Sequence, residues 1–265
     1  MNQEYWHRQS QDKPLFGDLL WSRPESRQMA GKLLVIGGNL HGFAAPAEAY
    51  TYATEAGIGV AKVLLPDALR KTVGRVLENG EYASSTPSGS FSKQALAQWL
   101  DFSGWADGVL VAGELGRNSE TAILLEQFLA KSGAAVVLSR DAVDYLYTSP
   151  QDVLNRQNTA LVLSLSQLQK LVKAAGFPKA VTFSMDVLQL VELLHDFSQQ
   201  YPVKIITEHQ GQSIVADSGQ VSTTPQALDI WRTKVAAYAS VWWLQNPSQS
   251  FEALTTAVSE ASGDR

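Results

Sequence analysis

Two glycine-containing segments could place polar groups beside a small ligand. The first, Gly37–Gly42, reads Gly-Gly-Asn-Leu-His-Gly and directly follows the apolar run Leu33–Gly37. Glycine lacks a Cβ atom and lets a ligand approach the backbone closely. Gly38 and Asn39 are therefore candidate ligand-binding residues. A plain turn between a strand and a helix explains the same residues equally well.

The second segment is Gly113-Glu-Leu-Gly116, which follows the apolar run Gly108–Ala112. In open α/β sheets, ligands bind beyond the carboxyl ends of the strands. If both runs are strands of one parallel sheet, Glu114 and Gly116 would lie at the same edge as Asn39. A simple turn is the competing interpretation here too, and for this segment alone it is favoured.

Other chemistries are not supported by the spacing of the reactive residues. No Lys-Ser or Lys-Thr follows Gly42, so the first segment is no P-loop, and the second glycine of a dinucleotide-binding fingerprint would fall on Asn39. No histidine pairs with another histidine or a carboxylate at metal-ligand spacing, and cysteine is absent. No nucleophile elbow and no Ser/His/Asp arrangement is evident. We therefore expect no metal site built by the protein alone.

The elements that would position these segments alternate between strands and helices along the chain. Apolar runs predict strands at Leu33–Gly37, Val60–Leu65, Gly108–Ala112, Ala134–Leu138, Thr159–Leu163, Val203–Thr207 and Ser213–Ala216. Helices are predicted at Ala45–Ala56, Pro66–Glu78, Ser119–Lys131, Asp141–Tyr147, Leu168–Ala175, Met185–Gln200, Pro225–Leu244 and Ser248–Ser262. The alternation predicts an α/β fold with a mostly parallel central sheet and helices on both faces.

Composition limits the classes of protein to which the chain can belong. It has 265 residues, 45% of them hydrophobic, and a formal net charge of −5. We predict an N-terminal arm, residues 1–22, packed on its own domain or on a partner subunit, and a single domain, residues 23–265. The negative charge argues against a nucleic-acid partner. No apolar run reaches the roughly 18 residues that a membrane helix needs, and the lack of cysteine fits a cytoplasmic protein.

The order of these segments resembles the NAD(P)H-hydrate dehydratase family of the ribokinase-like superfamily. That family opens with a strand, Gly-Ser, a loop, Gly-Ala-Pro, an alanine-rich helix and Gly-Ala-Gly before the next strand. Here the counterparts are Gly31–Asn39, Ala44–Pro46 and Ala56–Val60, with Asn39 in place of the serine. The resemblance adds Ala45 to the candidate ligand-binding residues.

The likeness continues to about Val258. Val111–Arg117 stands where the family has its Gly-Pro-Gly-Leu-Gly loop, and Asp141–Val143 stands where it has an Asp-Ala-Leu-like segment. The resemblance implies a ribokinase-like fold, ATP or ADP with Mg²⁺ as cofactors, hydrated NADH or NADPH as substrate, and a homo-oligomer.

The family's catalytic turn, Gly-Thr-Gly-Asp at a helix N-terminus, has no counterpart in this chain. Its last two residues align with Arg232 and Thr233, so Thr233 stands at the position of the family's general base. Asp229 lies one helical turn upstream and could substitute only if the helix begins later than Pro225. Otherwise we expect Asp229 to be a helix N-cap.

Other residues typical of the family's nucleotide-binding site are also replaced in this chain. Gln167 replaces a glutamate, no lysine follows Ile206, and Arg27-Gln28 replaces a His-Lys pair. The sequence therefore favours a divergent dehydratase-like protein that is catalytically impaired or inactive and retains nucleotide or small-molecule binding. An active dehydratase or small-molecule kinase, and a structural or assembly subunit, remain the alternatives.

Overall fold

A computed structural model describes residues 4–10, 13–74, 80–227 and 229–262. Within them the strands are β1 (Trp6–Arg8), β2 (Lys32–Gly37), β3 (Val60–Pro66), β4 (Gly80–Ala83), β5 (Gly108–Gly113), β6 (Ala135–Ser139), β7 (Thr159–Val162), β8 (Lys204–His209), β9 (Gln212–Asp217) and β10 (Gln220–Thr224). The helices are α1 (Gly17–Trp21), α2 (Ala44–Glu55), α3 (Arg70–Val73), α4 (Leu96–Trp105), α5 (Ser119–Lys131), α6 (Asp141–Asp144), α7 (Pro150–Leu154), α8 (Leu165–Ala174), α9 (Val187–Gln200), α10 (Lys234–Gln245) and α11 (Ser250–Ser262).

The described strands form one ten-stranded sheet in the order β1-β10-β9-β8-β7-β6-β5-β2-β3-β4. Neighbours from β4 to β8 are parallel, whereas β9 is antiparallel to both β8 and β10. Because β2 and β5 are adjacent, the segments after them meet at one edge of the sheet. The predicted α/β fold with a mostly parallel sheet is confirmed.

Side chains alternate between two cores, one on each face of the sheet. Along β2, Leu34 and Ile36 belong to the core on one face, while Leu33 and Val35 belong to the core on the other. All four side chains are buried, which explains why consecutive positions from Leu33 to Ile36 are apolar rather than alternately polar. Helices α4, α5, α8 and α9 contribute to the first core, and α2, α10 and α11 to the second.

The predicted helix Pro66–Glu78 is confirmed in part. Strand β3 extends through Pro66, so the helix begins one residue later than predicted, with a 3₁₀ turn at Asp67–Leu69 that continues into α3. The end of the predicted helix, residues 75–78, lies outside the described residues. Strand β4 and helix α4, which the sequence interpretation did not include, follow that gap.

The N-terminal residues 4–10 pack on the edge of this chain's own sheet. Trp6–Arg8 pairs in parallel with β10, and the ring of Tyr5 stacks on His195 with 3.7 Å between ring centroids. Trp21, at the end of α1, is instead 90% exposed. No helix in the described part of the chain is long and apolar enough to cross a membrane.

The same Phe→Ala substitution should change the free energy of unfolding far more in the core than on the surface. Phe128 is fully buried and meets the ring of Trp99 edge-on at 5.4 Å, whereas Phe183 is 63% exposed. Phe128→Ala should lower the free energy of unfolding by about 3–5 kcal/mol, because it leaves a cavity. Phe183→Ala should change it by no more than about 0.5 kcal/mol. Urea denaturation of both variants measures the difference, and similar losses would contradict this placement of the core.

Candidate functional site

The loops after β2 and β5 join at the carboxyl edge of the sheet. The N–H group of Gly38 donates to the carbonyl oxygen of Gly113 at 3.0 Å. The side-chain amide of Asn39 donates to the carbonyl oxygen of Glu114 at 2.6 Å. A Cβ atom at Gly116 would lie 2.5 Å from Oγ of Ser90, so a side chain there would force a shift. The structure thus brings Gly38, Asn39, Glu114 and Gly116 together, as their positions after two strands predicted.

The carboxylate of Glu114 lies at the N-terminus of α2. Its Oε2 atom accepts the N–H group of Ala45 at 2.9 Å, and its Oε1 atom lies 3.6 Å from Nη2 of Arg140. The first turn of a helix presents N–H groups and partial positive charge, which favours an anion. The N–H of Ala45, a predicted ligand-binding residue, is therefore occupied by the chain's own carboxylate.

Asp141 fixes the loop that carries Glu114. Its two carboxylate oxygens accept the N–H groups of Glu114 and Leu115 at 2.6 and 2.8 Å. Hydrogen bonds to a charged acceptor are stronger than neutral ones, so this pair holds the backbone firmly. The sequence interpretation placed Asp141 at the start of a helix and did not include it among the site residues.

Backbone strain is concentrated at the same place. Glu114, Arg117 and Arg140 have positive φ angles of 58°, 42° and 56°. Arg140 combines its angle with a ψ of −135°, a region that side-chain-bearing residues rarely enter. Such residues persist only where surrounding contacts hold them, and they cluster at functional sites. For Arg140, one such contact is a hydrogen bond of 2.8 Å from Nε2 of Gln167 to its carbonyl oxygen.

Gln167 serves as a structural cap. It forms a capping box with Ser164, whose backbone N–H donates to Oε1 of Gln167 at 3.1 Å. Its Nε2 atom also donates to the carboxylate of Asp144, which accepts the hydroxyl of Tyr147 as well. Burial raises the pKa of the Tyr147 hydroxyl above its usual range, so this hydroxyl stays protonated and donates to Asp144. Gln167 is thus committed to the protein's own atoms.

The predicted helix Pro225–Leu244 is wrong at its start, since α10 begins at Lys234. The carboxylate of Asp229 accepts the N–H of Trp231 at 3.1 Å, and its carbonyl oxygen accepts the N–H of Arg232 at 3.0 Å. This local side-chain-to-backbone bonding forms a turn that competes with the helix. Asp229 is consequently not the helix N-cap, a position that Thr233 occupies.

The structure places Thr233 and Asp229 in different surroundings. The Thr233 side chain is fully buried, makes no capping hydrogen bond, and its hydroxyl has no hydrogen-bond partner within the described residues. The Asp229 side chain is 59% exposed and pairs with Arg232 at 3.5 Å. Because α10 begins at Lys234, later than predicted, the condition under which Asp229 could stand in for the base is met; Asp229 lies five positions before this helix.

A cavity of about 440 Å³ opens beyond the carboxyl ends of β7 and β8. Its lining comprises Ser164, Leu165, Ser166, Phe183, Glu208, His209, Gln210, Asp229, Ile230 and Trp231. Sequence reasoning missed this cavity, because Phe183 lay outside every predicted element and Trp231 lay inside the predicted helix Pro225–Leu244. Across the described part of the chain, no cluster of three or more His, Asp or Glu side chains could hold a metal ion.

Comparison with known proteins places the fold. A ribokinase-like superfamily protein from Enterococcus faecalis V583 superposes with a TM-score of 0.73 at 13% identity, covering 98% of this chain and 87% of that one. The fold is ribokinase-like. An ADP/ATP-dependent NAD(P)H-hydrate dehydratase from Bacillus subtilis, co-crystallised with ATP and Mg²⁺, superposes with a TM-score of 0.61 at 13% identity. The superposition covers 94% of this chain and 87% of that one.

A phosphomethylpyrimidine kinase from Clostridium difficile 630 gives a TM-score of 0.52 at 10% identity, covering 86% of this chain and 99% of that one. No protein-family model matches the sequence, and no curated protein matches it. At these identities the likeness establishes the fold and leaves the activity open.

The loop after β5 should depend on the charge of Asp141. Asp141→Asn keeps the size of the side chain but loses one acceptor oxygen and the negative charge. We expect the free energy of unfolding to fall by about 1–3 kcal/mol. Asp101→Asn, at an exposed position of α4, is the matched control and should change it by less than about 0.5 kcal/mol. Equal effects in chemical denaturation would argue against this role.

Proposed function

We propose that this chain is a divergent NAD(P)H-hydrate dehydratase-like protein that binds a small molecule and does not carry out ATP- or ADP-dependent dehydration. The observation that carries the proposal is the start of α10, where Thr233 stands buried in place of the family's general base. A threonine hydroxyl cannot act as a carboxylate base at neutral pH.

The backbone before α10 also lacks the means to bind phosphate. In the family, glycines let consecutive N–H groups converge on an anion at the helix N-terminus. Here the N–H groups of Trp231 and Arg232 already donate to the side chain and the carbonyl oxygen of Asp229. Two donors of the corresponding turn are therefore used within the loop. The use of these two donors supports the proposal that this loop does not hold the phosphates of ATP or ADP.

The electrostatics at α2 support the same conclusion. The carboxylate of Glu114 accepts the Ala45 N–H and lies 3.6 Å from Nη2 of Arg140, so the N-terminus of α2 and Arg140 already have an anionic partner within the chain. A phosphate entering beside Glu114 would meet a like charge, which is unfavourable in a partly buried site. The cavity beyond β7 and β8 still offers room for a small molecule of ordinary size.

The direct test is dehydration of NADH hydrate by the purified full chain with Mg²⁺ and either ATP or ADP. We expect no nucleotide-dependent recovery of NADH absorbance above the rate without protein. Asp229→Asn is the informative variant, because Asp229 is the exposed carboxylate nearest in sequence to the missing base. Nucleotide-dependent turnover that Asp229→Asn abolishes would overturn the proposal and favour the active-enzyme alternative.

Self-association and a cytoplasmic location remain predictions. Trp21, in the N-terminal arm, and Met29 have exposed side chains and are candidates for contact with a second subunit. An assembly role for the chain would depend on such a contact.

A further inference from the structure

We propose that the cavity beyond β7 and β8 binds a planar aromatic ring that carries no negative charge, and that it prefers a cationic ring. This inference rests on the proposed function, since it names the ligand class for the cleft that the chain keeps. Its basis is the combination of two exposed aromatic side chains, two carboxylates and the absence of Lys and Arg from the lining described above.

The aromatic side chains are the first part of the argument. Phe183 and Trp231 come from loops 48 positions apart in the sequence, yet both line this one cavity. Both are more than half exposed, although large aromatic side chains usually bury most of their surface. A planar ring placed against either face would remove apolar surface from water and gain stacking energy.

Both aromatic loops are anchored before any ligand arrives. His209, at the end of β8, hydrogen-bonds through Nε2 to the carbonyl oxygen of Met185 at 2.7 Å, and Gln210 donates to the same oxygen. Met185 is two residues from Phe183. On the opposite loop, Arg140 donates to the carbonyl oxygen of Trp231 at 2.8 Å. Preorganised loops lose less conformational entropy on binding, which favours affinity.

The charge of the lining selects the ligand class. Glu208 and Asp229 bring carboxylates to the cavity, and none of its lining residues is Lys or Arg. Arg140 pairs with Glu114, outside the lining, whereas Arg232 pairs with Asp229 itself and offsets part of its charge. Glu208 therefore supplies most of the acidic character of the lining. A cationic ring would gain from this carboxylate and from the aromatic faces, whereas an anionic ring would meet repulsion.

The test uses three probes that share one ring system and differ in charge. Titration calorimetry of the full chain at neutral pH and low salt would compare 1-methylquinolinium, quinoline and quinoline-3-carboxylate. We expect 1-methylquinolinium to bind most tightly and the carboxylate to bind most weakly, with about tenfold between the two extremes. Equal or tighter binding of the carboxylate overturns the charge preference, and no saturable binding of any probe overturns the site.

Variants locate the binding. Trp231→Ala and Phe183→Ala should each lower the affinity for 1-methylquinolinium by about tenfold, the loss expected for one stacking partner. Trp21→Ala removes an exposed tryptophan that is not part of the cavity lining and should leave affinity unchanged. Glu208→Gln should reduce the preference for the cation over quinoline. Unchanged affinity in both aromatic variants, with melting temperatures showing that they fold, contradicts the inference.

The ring-binding proposal and the proposed function can fail independently of each other. Nucleotide-dependent turnover of NADH hydrate would overturn the proposed function whatever the calorimetry gives. Failure of all three quinoline probes to bind, with no turnover, would overturn the proposed ring-binding site and leave the proposed loss of dehydration standing.

Discussion

The carboxylate of Asp141 holds the loop after β5, and the arrangement of the carboxyl edge depends on that contact. With the loop fixed, Glu114 reaches the N–H of Ala45 on one side and Arg140 on the other. Arg140 in turn binds the carbonyl oxygen of Trp231. One series of charged contacts thus links the N-terminus of α2 to the loop before α10. The strained backbone at Glu114 and Arg140 is the conformational cost of this arrangement.

These contacts, together with those of Asp229, occupy backbone N–H groups that could otherwise bind a phosphate. Helix N-termini attract anions because their first N–H groups lack partners within the helix. At α2 the anion is the protein's own Glu114, and before α10 the side chain and carbonyl oxygen of Asp229 use two N–H groups. The ribokinase-like fold is therefore present with these N–H groups bonded within the chain, while the neighbouring cavity offers aromatic and acidic groups.

The fold followed from the sequence where apolar runs and glycines dictate structure locally. The apolar run Leu33–Gly37 favoured a strand buried on both faces, which the structure has as β2, and Asn39 follows that strand at the carboxyl edge. The start of α10 did not follow, because the hydrogen bonds of Asp229 to its own backbone replace the first turns of the expected helix. The cavity did not follow either. Phe183 and Trp231 meet only through tertiary packing, and no local pattern connects them.

Crystal structures of the chain with ADP and Mg²⁺, and separately with 1-methylquinolinium, would test the central claim most directly. The account predicts a ring ordered against Trp231 or Phe183 and no phosphate density at the N-terminus of α10. An ordered ADP whose phosphates bind the N–H groups at the start of α10 would contradict the account, which holds that this loop does not bind phosphate.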